Sequence, residues 1–377
     1  MSTRPLPDGV ARPEAAVDAR AASDRGVRRT SGPAGRNLVL LVGLLLSALL
    51  VSVPVVIGLG AAVVPPADTV RYLWAGLTGG SIGSDEVTRY QIVWQIRTPR
   101  VLLAVLVGAG LGAVGVAVQS LVRNALADPF VLGVSSGASV GAVAVTVSGG
   151  LAFAGVYAVS AGAFVGALVA TALVFLASYS RAGLTPLRLV LTGVVMSFGF
   201  QSVMAMIIYF SPDSEATSTL LFWSMGGFGA ATWGVLPPVA VAVLAGTLLL
   251  HHRSRTLDVM TFGDETAASL GVDSTRARTG LFVVTSLVTG AMVAVSGAIA
   301  FVGLVLPHLV RIVVGAAHAR VLVVTPLAGG LFMVWVDLLA RTVVAPRELP
   351  LGVITALVGV PAFIALMRRR GYLFGGR

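Results

Sequence analysis

Arg97 and Arg100 bracket Thr98-Pro99, and a helix begun there would hold two guanidinium groups within one turn as a compact positive pocket. Proline at 99 suits this reading, because the N–H it lacks has no partner in the first turn of a helix. Anchoring to lipid headgroups is the plainer use of such a pair. A second group lies in the polar insert Arg253 to Thr279, where Asp264 to Leu270 reads as a short helix with acidic residues at its start and Gly271 as its stop. With Leu270 and Val272 exposed, this helix would either lie on the membrane or dock in a cleft of a cytoplasmic partner. His308 beside Pro307 invites a metal or haem ligand. No second histidine stands at a spacing such as i, i+4, however, and a lone histidine at the end of a span more often sits at the interface.

Other chemistry is excluded by what the chain lacks. There is no lysine, so a phosphate-cradling GxxxxGK(S/T) loop is absent and any ATP hydrolysis must come from another polypeptide. There is no cysteine, which removes disulfides, thiolate metal sites and cysteine nucleophiles. No His, Asp or Glu cluster and no serine–histidine pair falls at a workable spacing within the apolar segments, which sets a membrane-embedded enzyme aside. No cofactor or metal is expected in this chain.

The scaffold for these residues follows from composition. Of 377 residues, 56% are hydrophobic and 11% charged, whereas a soluble domain carries about 25% charged residues. The 45 glycines, set among many alanines, serines and threonines, let transmembrane helices approach closely. The expected fold is an all-α polytopic membrane protein. With about 20 apolar residues per crossing, spans fall at 38–64, 99–119, 130–149, 152–178, 189–209, 233–250, 279–297, 298–313, 321–341 and 349–367. That count of ten needs a break at Ser296-Gly297; without it there are nine. The first apolar stretch is too long for a signal-peptide core and has no evident cleavage site, so it is expected to remain as a span.

Residues 1–37, with seven arginines and four acidic residues among prolines and glycines, lack helical periodicity. They read as a disordered cytoplasmic extension ahead of a membrane domain covering 38–377. The formal charge of +10 comes from arginines lying between apolar runs, so topology accounts for it without nucleic acid. Ten spans with both termini inside put twenty arginines on the inner side and six outside, namely Arg71, Arg89, Arg97, Arg100, Arg341 and Arg347, as the positive-inside rule expects. Between Phe130 and Ser180, and between Ala216 and Leu250, there is no Asp, Glu or Arg. Ion-coupled carriers keep a costly mid-membrane carboxylate where they bind a proton or sodium ion, so a secondary carrier or channel is the weaker reading.

Five segments occur in a telling order: RTPR at 97–100, QSLVRNALADP at 119–129, GDETAASLGV at 263–272, SGAIAFVGLVLPHLVR at 296–311 and ELPLGVITALVGVP at 348–361. Together they resemble the permease subunits of type II ABC importers for iron chelates, haem and cobalamin, the FecCD-type permeases, over nearly everything from residue 38 onward. The resemblance implies ten helices in the cytoplasmic (inner) membrane. It implies as partners a second permease subunit, either another copy or a related chain, two cytoplasmic ATPases that bind the ATP and Mg, and an external substrate-binding protein. On the residues, it implies that Arg97, Arg100 and Arg341 receive acidic residues of that binding protein. Gly263, Asp264, Glu265, Leu270, Gly271 and Val272, within the segment 253–279, would form the ATPase coupling helix. Met196, Gln201, Met204 and Met206 would line the translocation pathway. Ferric siderophores come first among the implied cargoes, then haem, then cobalamin. Two departures stand out: Ala125 replaces the family's usual proline, and the N-terminal extension is long.

Overall fold

The computed structural model describes residues 33–60, 62–180, 183–211, 221 and 223–368, so most of the extension expected over 1–37 lies outside the described residues. Helix α1, Pro33–Gly58, begins ahead of the boundary expected at residue 38 and carries no charge beyond Arg36. After α2, Pro66–Thr78, the short α3, Val87–Gln91, passes through a π-helical turn, Ile92–Arg97, into α4, Thr98–Leu121. A 3₁₀ turn at Pro129–Leu132 leads to α5, Val134–Ser148, and another at Ala152–Tyr157 leads to α6, Ala158–Ser178. Helix α7 is Pro186–Tyr209. Helices α8, Leu236–His252, and α9, Ser254–Thr261, meet at a bend of 59°. There follow α10, Asp264–Ser269, α11, Ser274–Ser296, α12, Val302–Val314, α13, His318–Thr342, and α14, Leu351–Arg368.

Six of these helical segments are long and apolar enough to cross a membrane, and the bent pair α8 and α9 makes a seventh if it counts as one span. Helices α5, α12 and α14 coincide with expected spans but are shorter apolar helices, below the roughly 20 residues that a straight crossing needs. The described residues therefore give six or seven spans by length and composition. The expected break at Ser296-Gly297 is present: α11 stops at Ser296, Gly297 takes φ of 63°, and α12 starts at Val302.

The described residues from Leu41 onward form one packed unit. Its centre is α4, buried along almost its whole length and packed against α8, α11, α12 and α13. The reason lies in its Gly108-Ala109-Gly110-Leu111-Gly112 run. A Cβ on Gly108 would lie 2.2 Å from the carbonyl oxygen of Gly329 on α13, so only glycine permits this backbone-to-backbone approach. Helix starts are fixed locally. Thr185 and Asp273 cap α7 and α11 by accepting from the backbone N–H of Arg188 and Arg276, as N-cap side chains do. Helix α7 differs from α4 in burying only Pro186, Leu189 and Gly193.

Candidate functional site

The chemistry gathers at the two ends of the helix bundle. At one end the π turn brings Arg97 beside the last turn of α1, where helical carbonyls lose their intrahelical donors. Arg97 donates from Nη1 to the oxygens of Ile57 and Gly58 at 3.0 and 3.1 Å, and from Nη2 to Ala62 at 2.6 Å. Arg341, near the end of α13, donates to the oxygens of Leu59 and Val56 at 3.1 and 2.8 Å. Two guanidinium groups thus close the negative end of the α1 dipole. Arg100 donates from Nε to Asp337 Oδ1 at 2.8 Å and makes a two-pronged contact with both oxygens of Glu348 at 2.8 and 3.0 Å. Asp337 is fully enclosed, and Arg341 Nε stands 3.3 Å from its second oxygen.

Arg97, Arg100 and Arg341, which the resemblance implies receive acidic residues of a binding protein, each have partners within this chain. Their exposures are 7%, 8% and 9%, and each is engaged by carbonyls or carboxylates of this chain. For Arg97 and Arg341 the physical reason is that α1 ends against them, and a helix end buried without donors would be costly; Arg100 is held instead by Asp337 and Glu348. Sequence reading missed Asp337 as the anion that balances the cluster; its i, i+4 spacing from Arg341 was the available signal.

At the opposite end, α10 is held by Arg278 of α11, a fully buried guanidinium that donates to Leu184 O at 2.6 Å and to Asp264 Oδ1 at 2.7 Å. Ala267 faces inward, while Glu265, Leu270 and Gly271 are exposed and Val272 is half-buried. The helix closes as expected at Gly271, with φ of 78°. The N–H of Val272 reaches Ala267 O at 2.8 Å and that of Gly271 reaches Ala268 O at 3.0 Å, the paired bonds of a Schellman stop. Of the six residues singled out here, Gly263 and Asp264 serve the local fold, and Glu265, Leu270 and Gly271 present an outward surface.

The same end holds an arrangement that the sequence did not announce. Ser120 Oγ lies 2.6 Å from His318 Nε2, and His318 Nδ1 lies 2.6 Å from Asp258 Oδ1. None of the three lies within the apolar spans expected at 99–119 and 321–341, and Asp258 belongs to the insert 253–279, so the expectation that no such pair falls within the spans is untouched. The three residues are far apart in the chain and are joined only when α4, α9 and α13 converge. The order matches a hydrolytic relay, but Ser120 is 2% exposed within α4, with no room for an acyl group at its Oγ. The arrangement is a clasp that ties α9 to the two long helices. Beside it, Gln119 Oε1 accepts from Arg311 Nη1. Asp128 takes the N–H groups of Phe130 at 2.9 Å and Phe301 at 3.2 Å, and burial pushes its carboxyl up to about 6. His308, expected at an interface, is buried on α12. Among the described residues no group of three or more His, Cys, Asp or Glu could hold a metal ion.

Met196, Gln201, Met204 and Met206 lie along α7. Gln201 and Met206 are exposed, and Met196 and Met204 half-buried. Neighbouring Phe198 is also exposed, so within this single chain the helix presents an unpartnered face.

Comparison with known proteins adds four findings. Residues 39–369 match the FecCD transport family. The chain is 37% identical over 338 residues to the hemin transport system permease protein HmuU of Yersinia pestis, covering 88% of this chain and 96% of that one. It is 33% identical over 363 residues to the iron(3+)-hydroxamate import system permease protein FhuB of Bacillus subtilis, covering 93% and 88%. A solved structure described as an inward-facing conformation of a metal-chelate type ABC transporter is similar with a TM-score of 0.75 at 30% identity, covering 86% of this chain and 98% of that one.

Proposed function

The chain belongs to the FecCD transport family, and from that premise we propose that it is one of two permease subunits that together enclose the pathway of an ATP-driven metal-chelate importer, with a ferric siderophore as its cargo. The observation that carries the reading is the α10 surface. Glu265, Leu270 and Gly271 stand outward on a short helix whose position is fixed by the buried Arg278–Asp264 pair. That is the form needed by a lever that enters a cleft of a cytoplasmic ATPase. The chain itself has no lysine for a phosphate loop, so the ATP and Mg belong to that partner and this subunit does no covalent chemistry.

In this reading the chain crosses the inner membrane ten times with both termini inside, α5, α12 and α14 acting as short spans; the arginine distribution supports that topology. ATP binding draws the two ATPases together, α10 moves with them, and the α9 clasp passes the movement to α4 and α13. The exposed face of α7 meets its counterpart on the second permease, and its methionines give a soft, adaptable wall for a large chelate. The external binding protein docks at the arginine end on exposed charges such as Arg71, Arg89, Arg347 and Glu348, while Arg97, Arg100 and Arg341 hold that surface in shape. Haem is the second reading, favoured by the similarity to a hemin permease.

The test is uptake into proteoliposomes holding the permease with its ATPase and binding protein, offered a ferric hydroxamate, hemin or cobalamin. ATP-dependent uptake of the ferric hydroxamate alone is expected. Equal uptake without the ATPase would overturn the importer reading, and preference for hemin would replace the cargo.

A further inference from the structure

A groove runs along the outside of α8 and α11. Its first part, about 590 Å³, lies against α6, α8 and α11 and is walled by apolar side chains including Phe164, Val239, Ala245 and Val288. Its second part, about 470 Å³, lies at the α10 end and is walled by Arg253, Thr256, Asp273 and Arg276. Leu249 and Val284 line both, so the two parts adjoin, the first apolar at span depth and the second carrying two arginines at the α10 end. Both volumes fall in the range of ligand-sized sites, about 300–1,000 Å³.

We propose that this groove binds an anionic phospholipid, one acyl chain lying in the apolar part and the phosphate meeting Arg253 and Arg276. Charge and position decide the occupant. Helices α6 and α11 are long enough to cross the membrane, so the apolar part opens at the depth of lipid tails. Arg253 has no ion pair among the described residues. Arg276 is held by Asp273 through Nε at 3.1 Å, which leaves its two Nη groups for a phosphate. The Asp273 carboxylate is the one anion in the wall, and two guanidinium groups outweigh it. Arginine is suited to such contacts because its planar fork matches phosphate oxygens. The lipid would also touch Val272 and Asp273, the residues on which the chain leaves Gly271, so its occupancy would steady the segment joining α10 to α11.

The experiment uses the full chain purified in a neutral detergent, with bound lipid counted by native mass spectrometry. Phosphatidylglycerol is expected to be retained at least ten-fold better than phosphatidylcholine of the same chains. Arg253→Gln with Arg276→Gln should erase that preference, Arg253→Lys should keep most of it, and Ala245→Trp should reduce retention of both lipids by filling the apolar part. Inorganic phosphate at equal concentration should not displace the lipid, since the tail supplies much of the binding. Equal retention of the two lipids by the unmodified chain, an undiminished preference in the double glutamine variant with an unchanged melting temperature, wild-type retention by Ala245→Trp, or displacement by phosphate would each overturn the proposal.

Discussion

His318 grips Asp258 twice through one oxygen: the ring Nδ1 stands 2.6 Å from Oδ1 and the backbone N–H of His318 reaches the same atom at 3.0 Å. As a carboxylate, Asp258 can only accept, so Nδ1 carries a proton, and in the neutral ring Nε2 accepts from Ser120. Asp258→Asn and His318→Gln should each lower stability by about 1–3 kcal/mol. Their double variant should lose less than the sum, because both remove the same link. Thermal melts of the four proteins measure this, and strict additivity would deny the clasp.

Arg100 and Asp337 give the largest expected single effect. Arg100→Met leaves the enclosed Asp337 carboxylate with Arg341 as its remaining cation, and breaking a buried pair from one side costs about 3–5 kcal/mol. Glu348→Gln should cost no more than about 1 kcal/mol, since that carboxylate is 39% exposed. Yield of folded protein and melting temperature should rank the variants in that order.

Gly108 tests the close approach of α4 and α13. Gly108→Val would drive side-chain atoms into the Gly329 carbonyl, 2.2 Å from the Cβ position, so the helices must part, at a cost of about 1–3 kcal/mol or more. Gly43→Ala is the control. Nothing lies within 4 Å of its Cβ position, and alanine should stabilise α1 by about 0.5–1 kcal/mol.

Gly271 separates shape from chemistry at the α10 surface. Its φ of 78° suits glycine and is tolerated by asparagine, whereas a β-branched residue there is strained. Gly271→Val should keep ATP hydrolysis but cut uptake per ATP several-fold, and Gly271→Asn should retain most of it. Equal uptake by both variants would remove this turn from the coupling path.

Asp128 predicts a pH dependence. Its folded pKa of about 6 stands above the ordinary 3.8 because burial outweighs the two N–H groups it accepts. Between these values the folded state holds the proton more tightly, so this residue's contribution to stability is present below pH about 4 and is lost as pH rises through about 6. Melting temperature should fall across that window, and Asp128→Asn should flatten the decline.

The membrane character, the helices and the break at Gly297 were legible because hydrophobic runs and glycine stops are local signals. So was the α10 turn, which ends on the glycine its sequence marks. The roles of Arg97, Arg100 and Arg341 were not, because an arginine near a span end reads the same whether it faces solvent or a helix terminus. The pairing of Asp337 with Arg100, of Asp258 with His318 and of His318 with Ser120 was missed for a related reason, although the i, i+4 spacing of Asp337 and Arg341 was a local signal. These partners lie 237, 60 and 198 residues apart, and no periodicity spans such distances. The span count diverges where helices are short, since composition measures apolarity well and length poorly.

The capping of α1 also sets an order of events in biogenesis. Val56 emerges from the ribosome early, yet the guanidinium that takes its carbonyl belongs to Arg341, 285 residues later. Arg97 arrives 40 residues after Ile57 and can shelter the helix end in the interval, so α1 is fully sealed only once α13 has been made. A nascent chain stopped before residue 341 should leave that end accessible to water, and completing the chain would shut it.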